Sequence, residues 1–300
     1  DTSVSRGLGD VYKRQGEGLG NQFLSNIRET DAIIHVVRAF ENDDIVHVSG
    51  KVSPIDDIEI INTELILSDL SIVEKLYQKA QKNTKSGQKE GMPMKELVEK
   101  ILTALKEGTS LRKLTFGKEE LVLLKNFQLL TLKPVLYVAN VNESGFENNP
   151  HLDLILDYAT QDHSKVVPIC AEIEAEICEL SNDEKKEFLL EMGQNESGLD
   201  RLIKAGYDLL GLHTYFTAGE KEVKAWTITV GDSAPVAAGK IHTDFEKGFI
   251  RAETISFQDY IDYKGEKGAK DAGKLRTEGK DYVVKDLSLI HISEPTRHRG

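Results

Sequence analysis

Two short polar segments carry the residue types suited to reading a flat, hydrogen-bonding ligand. Asn140-Val141-Asn142-Glu143 follows the apolar run Val135–Ala139 (VLYVA), and Ala171-Glu172 follows Val166–Cys170 (VVPIC). A carboxamide offers donors and an acceptor while a carboxylate offers acceptors only, so Asn140 and Glu143 together could match the edge of a heterocycle. In an open α/β sheet, ligands bind beyond the carboxyl ends of the strands, where both segments fall. A polar loop that merely caps the helix beginning at Leu152 has the same composition. The residues alone leave both readings open.

Other residues are weaker candidates. His47, in Ile45-Val46-His47-Val48, is a loop histidine flanked by apolar residues, and an ordinary loop or edge role would suit it equally. The glycines of Gly16–Gly20 (GEGLG) invite a phosphate-cradle reading, but no strand precedes them. No G-x-x-x-x-G-K-[ST] pattern occurs anywhere in the chain. His35 lies mid-strand among Ile and Val and reads as a satisfied core histidine, and His213 and His242 lack partners at metal spacing. Cys170 and Cys178, seven residues apart, fit neither a CxxC pair nor a zinc half-site. Cys170, beside the candidate pocket, reads first as a small buried residue. Lys267, Lys270 and Lys274 fall at i, i+3, i+7 and are extended by Arg276 and Lys280. This is the one stripe that could face RNA, and a solvated face is the plainer reading.

Elements that must position these groups follow from periodicity. Ile33–Val37 (IIHVV) is a buried strand. Ile66, Leu70, Val73, Tyr77 and Ala80 advance by 4, 3, 4 and 3, and Met94, Leu97, Ile101 and Ala104 by 3, 4 and 3, across the polar stretch Lys82–Gly91. That pattern predicts an inserted antiparallel hairpin of two helices of similar length. A helix is expected over Lys118–Leu130, strands at Val135–Ala139 and Val166–Cys170, and a helix from Leu152. Ser181 and Glu184 have capping-box spacing, and a closing helix runs from Leu199 to Leu210. Alternating strands and helices imply a parallel sheet covered on both faces. From Gly211 the texture becomes β-rich, with strands at Trp226–Val230, Phe249–Phe257 and, last, Tyr282–Val284.

The chain has 300 residues, 39% of them apolar, and a formal charge of −12. Two or three domains are the natural prior, and the whole molecule is no electrostatic nucleic-acid binder. Any RNA contact needs a local basic face. No apolar run approaches the roughly 18–20 residues of a membrane span, and two cysteines suit a reduced, cytosolic compartment.

The two ends read as adapter-derived. Ser5–Gln15 (SRGLGDVYKRQ) can be encoded by an oligonucleotide whose reverse complement encodes LSLIHISEPTR, which is Leu287–Arg297 letter for letter. Residues 1–15 and 287–300 are therefore expected to take no part in the fold. A central strand edge left open at the start of the remaining sequence would be an aggregation risk.

GTPases read guanine with Asn-Lys-x-Asp and Ser-Ala-Lys in the order and setting of the two polar segments. Here Glu143 stands at the Asp position, one methylene longer, and Val141 at the Lys position. Adenine presents an acceptor where guanine presents a donor, so a carboxylate held in the guanine position would meet a lone pair. An unpaired buried polar group costs about 1–3 kcal/mol, enough to relax or switch base choice. The variant predicts adenine tolerance or preference.

Long blocks then carry a specific resemblance. Gly16–Pro54, Leu130–Pro150, TYFTAGEKEVKAWTI and IHTDFEKGFIRAETISF are similar to YchF, the Obg-like ATPase family, in its bacterial form, and the match runs from Gly16 to Asp286. The resemblance implies an α/β P-loop NTPase domain (16–55 and 118–210), a helical coiled-coil insertion (56–117) and a β-grasp TGS domain (211–286). It also implies ATP hydrolysis with Mg²⁺, GTP being a second candidate substrate, and cytoplasmic association with the ribosome. The large subunit and rRNA are the implied contacts, with neither DNA nor membrane. Asn140, Val141, Asn142 and Glu143 match the family's base-reading Asn-x-x-Glu, and Cys170-Ala171-Glu172 takes the place of Ser-Ala-Lys. His47 matches the histidine that orients the attacking water, and Gly16, Gly18 and Gly20 match the switch II segment. The family's Walker A loop, switch I and Asp-x-x-Gly would precede Gly16, with the metal ligands among them. The chain is thus expected to be an N-terminally truncated member, inert as it stands. The alternative is a non-enzymatic ribosome- or RNA-binding module acting through the hairpin and the TGS domain.

Overall fold

The computed structural model describes residues 19–42, 51–85, 92–219 and 222–293. The chain divides into two units, Asp1–Leu209 and Leu210–Gly300.

The first unit begins with α1 (Leu19–Arg28) and β1 (Ile33–Arg38), followed by the long α2 (Pro54–Lys85) and α3 (Met92–Lys106). A 3-10 turn at Leu111–Lys113, α4 (Lys118–Lys125) and a second 3-10 turn at Leu130–Leu132 lead into β2 (Val135–Asn140). Then come α5 (Pro150–Gln161), β3 (Lys165–Ile169), α6 (Ala171–Glu179), α7 (Asn182–Glu191) and α8 (Gly198–Leu210). The strands form a parallel sheet in the order β1-β2-β3, pairing Ile33 with Val135 and Leu136 with Lys165.

Alternate residues of the sheet feed two cores. On one face Val37, Val135, Tyr137 and Ala139 pack with Ile155 of α5, Ile173 of α6 and Ile58 of α2. On the other, Leu136, Val138, Val167 and Ile169 meet Leu202, Ala205 and Leu209 of α8. Among the described residues that second face is open at β1, where Ile34 and Val36 are 52% and 64% exposed. The parallel sheet of the expected α/β class is present, but among the described residues its two-sided cover stops at β2.

The hairpin forms on the residues its period marked. Ile66, Val73, Leu97 and Ile101 are buried in one cluster, with Leu70, Tyr77 and Met94 packed against it. Its arms are not of similar length, at 32 residues against 15. The first turns of α2 lie outside the coiled-coil seam and pack on the sheet instead, with Ile58 fully buried there. The predicted helix over Lys118–Leu130 also stops early, at Lys125. Gln128 takes a positive φ of 49°, which turns the chain, and Leu129 then buries in the hairpin cluster with Leu130 fully buried after it.

Below the seam lies Asp69, fully buried on α2. Its carboxylate accepts from Arg28 Nη1 at 3.2 Å, from the Leu130 and Thr131 amides at 3.0 and 2.7 Å, and from the Thr131 hydroxyl at 2.8 Å. A buried carboxylate is stable only with such a set of donors. It binds α1, the hairpin and the entrance to β2 together.

The second unit contains β4 (Leu212–Ala218), β5 (Val223–Thr229), α9 (Ala234–Ile241), α10 (Thr243–Lys247), β6 (Arg251–Ser256), α11 (Phe257–Asp262), α12 (Glu266–Asp271), β7 (Arg276–Glu278) and β8 (Ser288–Ser293). Its mixed sheet has the order β5-β4-β8-β6-β7, with β8 parallel to β4 and antiparallel to β6. Tyr215, Ile228, Phe249 and the alanines of α9 form its core, and the Tyr215 hydroxyl donates to the Ala237 carbonyl at 2.8 Å.

Two expectations for this unit need correction. Tyr282–Val284 is not a strand; Val283 makes only an isolated bridge with Ser233. The final strand is β8, inside residues 287–300 that were expected to stand outside the fold. Its apolar alternation explains this: Leu289 and Ile290 are 9% and 4% exposed and enter the clusters on opposite faces of the sheet. Among the described residues, no helix is long and apolar enough to cross a membrane.

Candidate functional site

The carboxyl edge of the parallel sheet brings the two polar segments together. Asn140 is the last residue of β2, and its carbonyl accepts from the Ala39 amide at 2.8 Å. The next amide, Val141, donates to Ile169 at the end of β3 at 2.9 Å. Three strand ends are thereby stitched into one rim. Across it, Asn140 Oδ1 accepts from the Ala171 amide at 3.1 Å, joining β2 to the first residue of α6.

Ala171 and Glu172 were expected to form a loop. They are the first turn of a helix instead, with Cys170 as its N-cap. The reason is local: Cys170 takes an extended conformation, and the apolar Ile173 and Ile177 that follow have one-turn spacing and bury against the sheet. The Cys170 side chain makes no capping bond; Asn140 Oδ1 takes the Ala171 amide in its place, and the N-terminal end of α6 meets the rim there. Val141 and Cys170 are buried, while Asn142, Glu143, Ala171 and Glu172 are exposed. A flat ligand edge laid here would meet a buried apolar floor with acceptors and amides around it.

The loop after Asn140 is shaped by two residues that sequence reasoning passed over. Asn149 is the N-cap of α5, accepting from the His151 and Leu152 amides at 3.0 and 3.3 Å. Its amide nitrogen also donates to the carbonyls of Ala39 and Gly145 at 2.8 and 3.0 Å. Asn before Pro150 at a helix start was the available signal. Gly145 is buried, and a side chain there would lie 3.1 Å from Val141 Cβ. The loop therefore closes tightly over the end of β2.

Behind the rim, α6 is fixed by Glu174, whose carboxylate accepts from the Gly198 and Leu199 amides at 2.6 and 3.0 Å. It caps the N-terminus of α8 from a neighbouring helix. A Cβ on Gly198 would approach that carboxylate to 2.8 Å and Ile169 to 3.2 Å, so this contact needs glycine.

His47, Gly16 and Gly18 lie outside the described residues, and Gly20 is the second residue of α1. His35 sits on β1 with its ring 5.7 Å from that of Tyr137. Burial, aided by the nearby Arg112 charge, lowers its pKa below the usual histidine value. This is a half-buried neutral histidine. Among the described residues no group of three or more His, Cys, Asp or Glu side chains could hold a metal ion.

In the second unit, the basic stripe is broken. Lys267 and Lys270 are exposed on α12, but the helix ends at Asp271, so Lys274 and Arg276 do not continue its face. Lys274 pairs with Asp259 at 3.4 Å and Arg276 with Glu278 at 3.8 Å, which mutes the local positive field.

A family model described as "YchF-GTPase_C: Protein of unknown function (DUF933)" matches residues 212–294. The chain is 60% identical over 278 residues to "Ribosome-binding ATPase YchF" of Escherichia coli O157:H7, covering 93% of this chain and 77% of that protein. It is 52% identical over 281 residues to the protein of the same name from Bacillus subtilis (strain 168), with the same shares of each. Among solved structures, the Schizosaccharomyces pombe YchF GTPase is similar with a TM-score of 0.80 and 35% identity, over 95% of this chain and 79% of that one.

Proposed function

This chain belongs to the YchF family of P-loop NTPases, and on that premise we propose that it serves a ribosome-associated ATPase whose base is read at the β2–α6 corner. The observation that carries the reading is the Asn140 carboxamide, bonded to the first amide of α6 while it ends the central strand. Asn140 contacts the base, the Val141 backbone lies against its ring, and the α6 amides at Ala171 and Glu172 face its edge. Glu143, one methylene longer than the Asp with which GTPases read guanine, does not hold its carboxylate at guanine's donors, and the loop thereby tolerates or prefers adenine. Asn142 and Cys170 complete the wall.

Within the same proposal, hydrolysis is an in-line attack of water on the γ-phosphate, with His47 orienting the water and Gly16, Gly18 and Gly20 belonging to the switch segment. Phosphate and Mg²⁺ are gripped by a P-loop lysine and hydroxyl. No stretch of this sequence supplies that pattern, and no metal-ligand cluster stands among the described residues. The residues present thus fit the base and not the metal. Turnover by this chain alone is accordingly expected at blank level, and Mg²⁺-dependent ATP hydrolysis above blank would overturn that part. The hairpin α2–α3 and the second unit, read as an inserted arm and a TGS domain, supply the ribosomal contact. Exposed Lys267 and Lys270 are the first residues to test for rRNA contact.

Base choice is tested in a P-loop-bearing relative that carries this Asn140–Glu143 loop. ATP should bind more tightly than GTP, and Glu143→Asp should narrow the difference by about tenfold, the worth of one charge-assisted hydrogen bond. Tighter GTP binding by the unsubstituted loop would sink the reading.

A further inference from the structure

A second cleft opens at the opposite, amino-terminal edge of the parallel sheet, where nucleotide chemistry has no use for it. It lies where Pro134 and Val135 enter β2 and Ser164 precedes β3, and it has a volume of about 480 Å³. Small-molecule sites typically enclose roughly 300–1,000 Å³. Its walls are apolar, formed by Leu114, Phe116, Leu121, Leu132 and Leu209. Leu121 is 46% exposed, so water covers an apolar wall that a ligand body would dry.

The polar residues at this cleft are built and charged. Arg112 lines it with only 7% of its side chain exposed. Its Nε donates to Asp162 Oδ2 at 3.0 Å and its Nη2 to Asn62 Oδ1 at 3.0 Å. The third nitrogen, Nη1, is buried without a partner. Lys113 Nζ stands 3.3 Å from Asp162 Oδ1, so two cations share one carboxylate whose other contacts are the neutral Tyr137 and Ser164 hydroxyls. Asp162 Oδ2 takes up Nε, so Nη1 is the arginine nitrogen left unpaired beside a low-dielectric wall, and a buried cation with an open donor favours an anionic counterpart. On the cleft's lining His163 takes a positive φ of 54°, the left-handed conformation that a non-glycine residue adopts at some cost.

We propose that this cleft binds a small organic anion with an aromatic or branched apolar body. The carboxylate would be drawn to the Arg112 end, and the body would lie against Phe116, Leu121 and Leu209. The site is independent of the nucleotide reading and stands or falls without it.

The test titrates phenylacetate, and separately the neutral isostere phenylacetamide, into the ¹⁵N-labelled full chain. Phenylacetate should shift the amides of Leu114–Phe116 and of His163 and Ser164 along one saturable curve. Phenylacetamide should bind about tenfold more weakly, since it lacks the charge. Substitutions at Arg112 risk unfolding the floor, so the control is Leu121→Glu on the exposed wall, which should abolish the shifts while leaving the remaining spectrum in place. Equal binding of acid and amide, unchanged binding by Leu121→Glu, or no saturable shift at these residues would each overturn the proposal.

Discussion

At the scale of single residues, burial and hydrogen bonding decide roles that residue type leaves open. Asn140 is an ordinary strand-end asparagine until its side chain is seen bonded to the amide of Ala171, 31 positions away. His35 is the reverse case: its chemistry is available, but its surroundings keep it neutral. Burial lowers its pKa first, Arg112 lowers it further, and only Asp57 opposes them. A histidine held below its usual 6.5 in the folded chain is protonated first in the unfolded chain. Its contribution is therefore neutral above that value, and stability falls as pH drops from there toward the folded-state value. Far-UV circular dichroism with denaturant should show weaker folding at about pH 5 than at about pH 7, with a slope bounded near 1.4 kcal/mol per pH unit. His35→Gln should flatten that slope; an unchanged slope would assign it to other groups.

Between elements, the joints are buried polar hubs and not the apolar seam. The coiled-coil period of α2 and α3 is legible because each seam residue repeats at a fixed local spacing. Asp69 interrupts that logic, since a fully buried carboxylate inside an apolar pattern has no local explanation. Its partners come from α1 and from the turn before β2. Asp69→Ala should cost about 3–5 kcal/mol, because it leaves the Arg28 charge without its counter-ion and the buried Leu130 and Thr131 amides without an acceptor. Hydrogen exchange should then rise at Leu130 and Thr131 and in α1 more than at the hairpin tip. A uniform small rise would mean that the hub is only one contact among many.

For the whole molecule, the two sheets behave differently at their margins. Among the described residues β1 pairs on one side only, and Ile34 and Val36 beside that edge are exposed. The second unit instead places its last described strand in the middle: among the described residues β8 is the link between β4 and β6. Deleting residues 287–300 should therefore split the sheet and remove the burial of Leu289 and Ile290, worth about 3–6 kcal/mol together. Trp226 is the single tryptophan and lies on β5, so its emission reports this unit alone. It should lose its cooperative unfolding transition on that deletion while the helical signal of the first unit persists. Retained cooperativity would show that β4 and β6 close without β8.

Period and residue type alone determined the three parallel strands, the hairpin seam, the capping box at Ser181 and the placing of Asn140–Glu143 at a strand end, because each is a local regularity. Long blocks such as Leu130–Pro150 were enough to indicate the family. Only the tertiary structure decided that Ala171 opens a helix bonded to Asn140, that α2 outruns α3 to pack on the sheet, and that Asn149 ties the site loop to Ala39. It alone also brought Arg112, Asn62 and Asp162 to one floor and seated the chain's last apolar alternation between two strands. Each of these depends on partners tens of residues away, and a spacing pattern holds no information about which distant group will satisfy a buried polar atom.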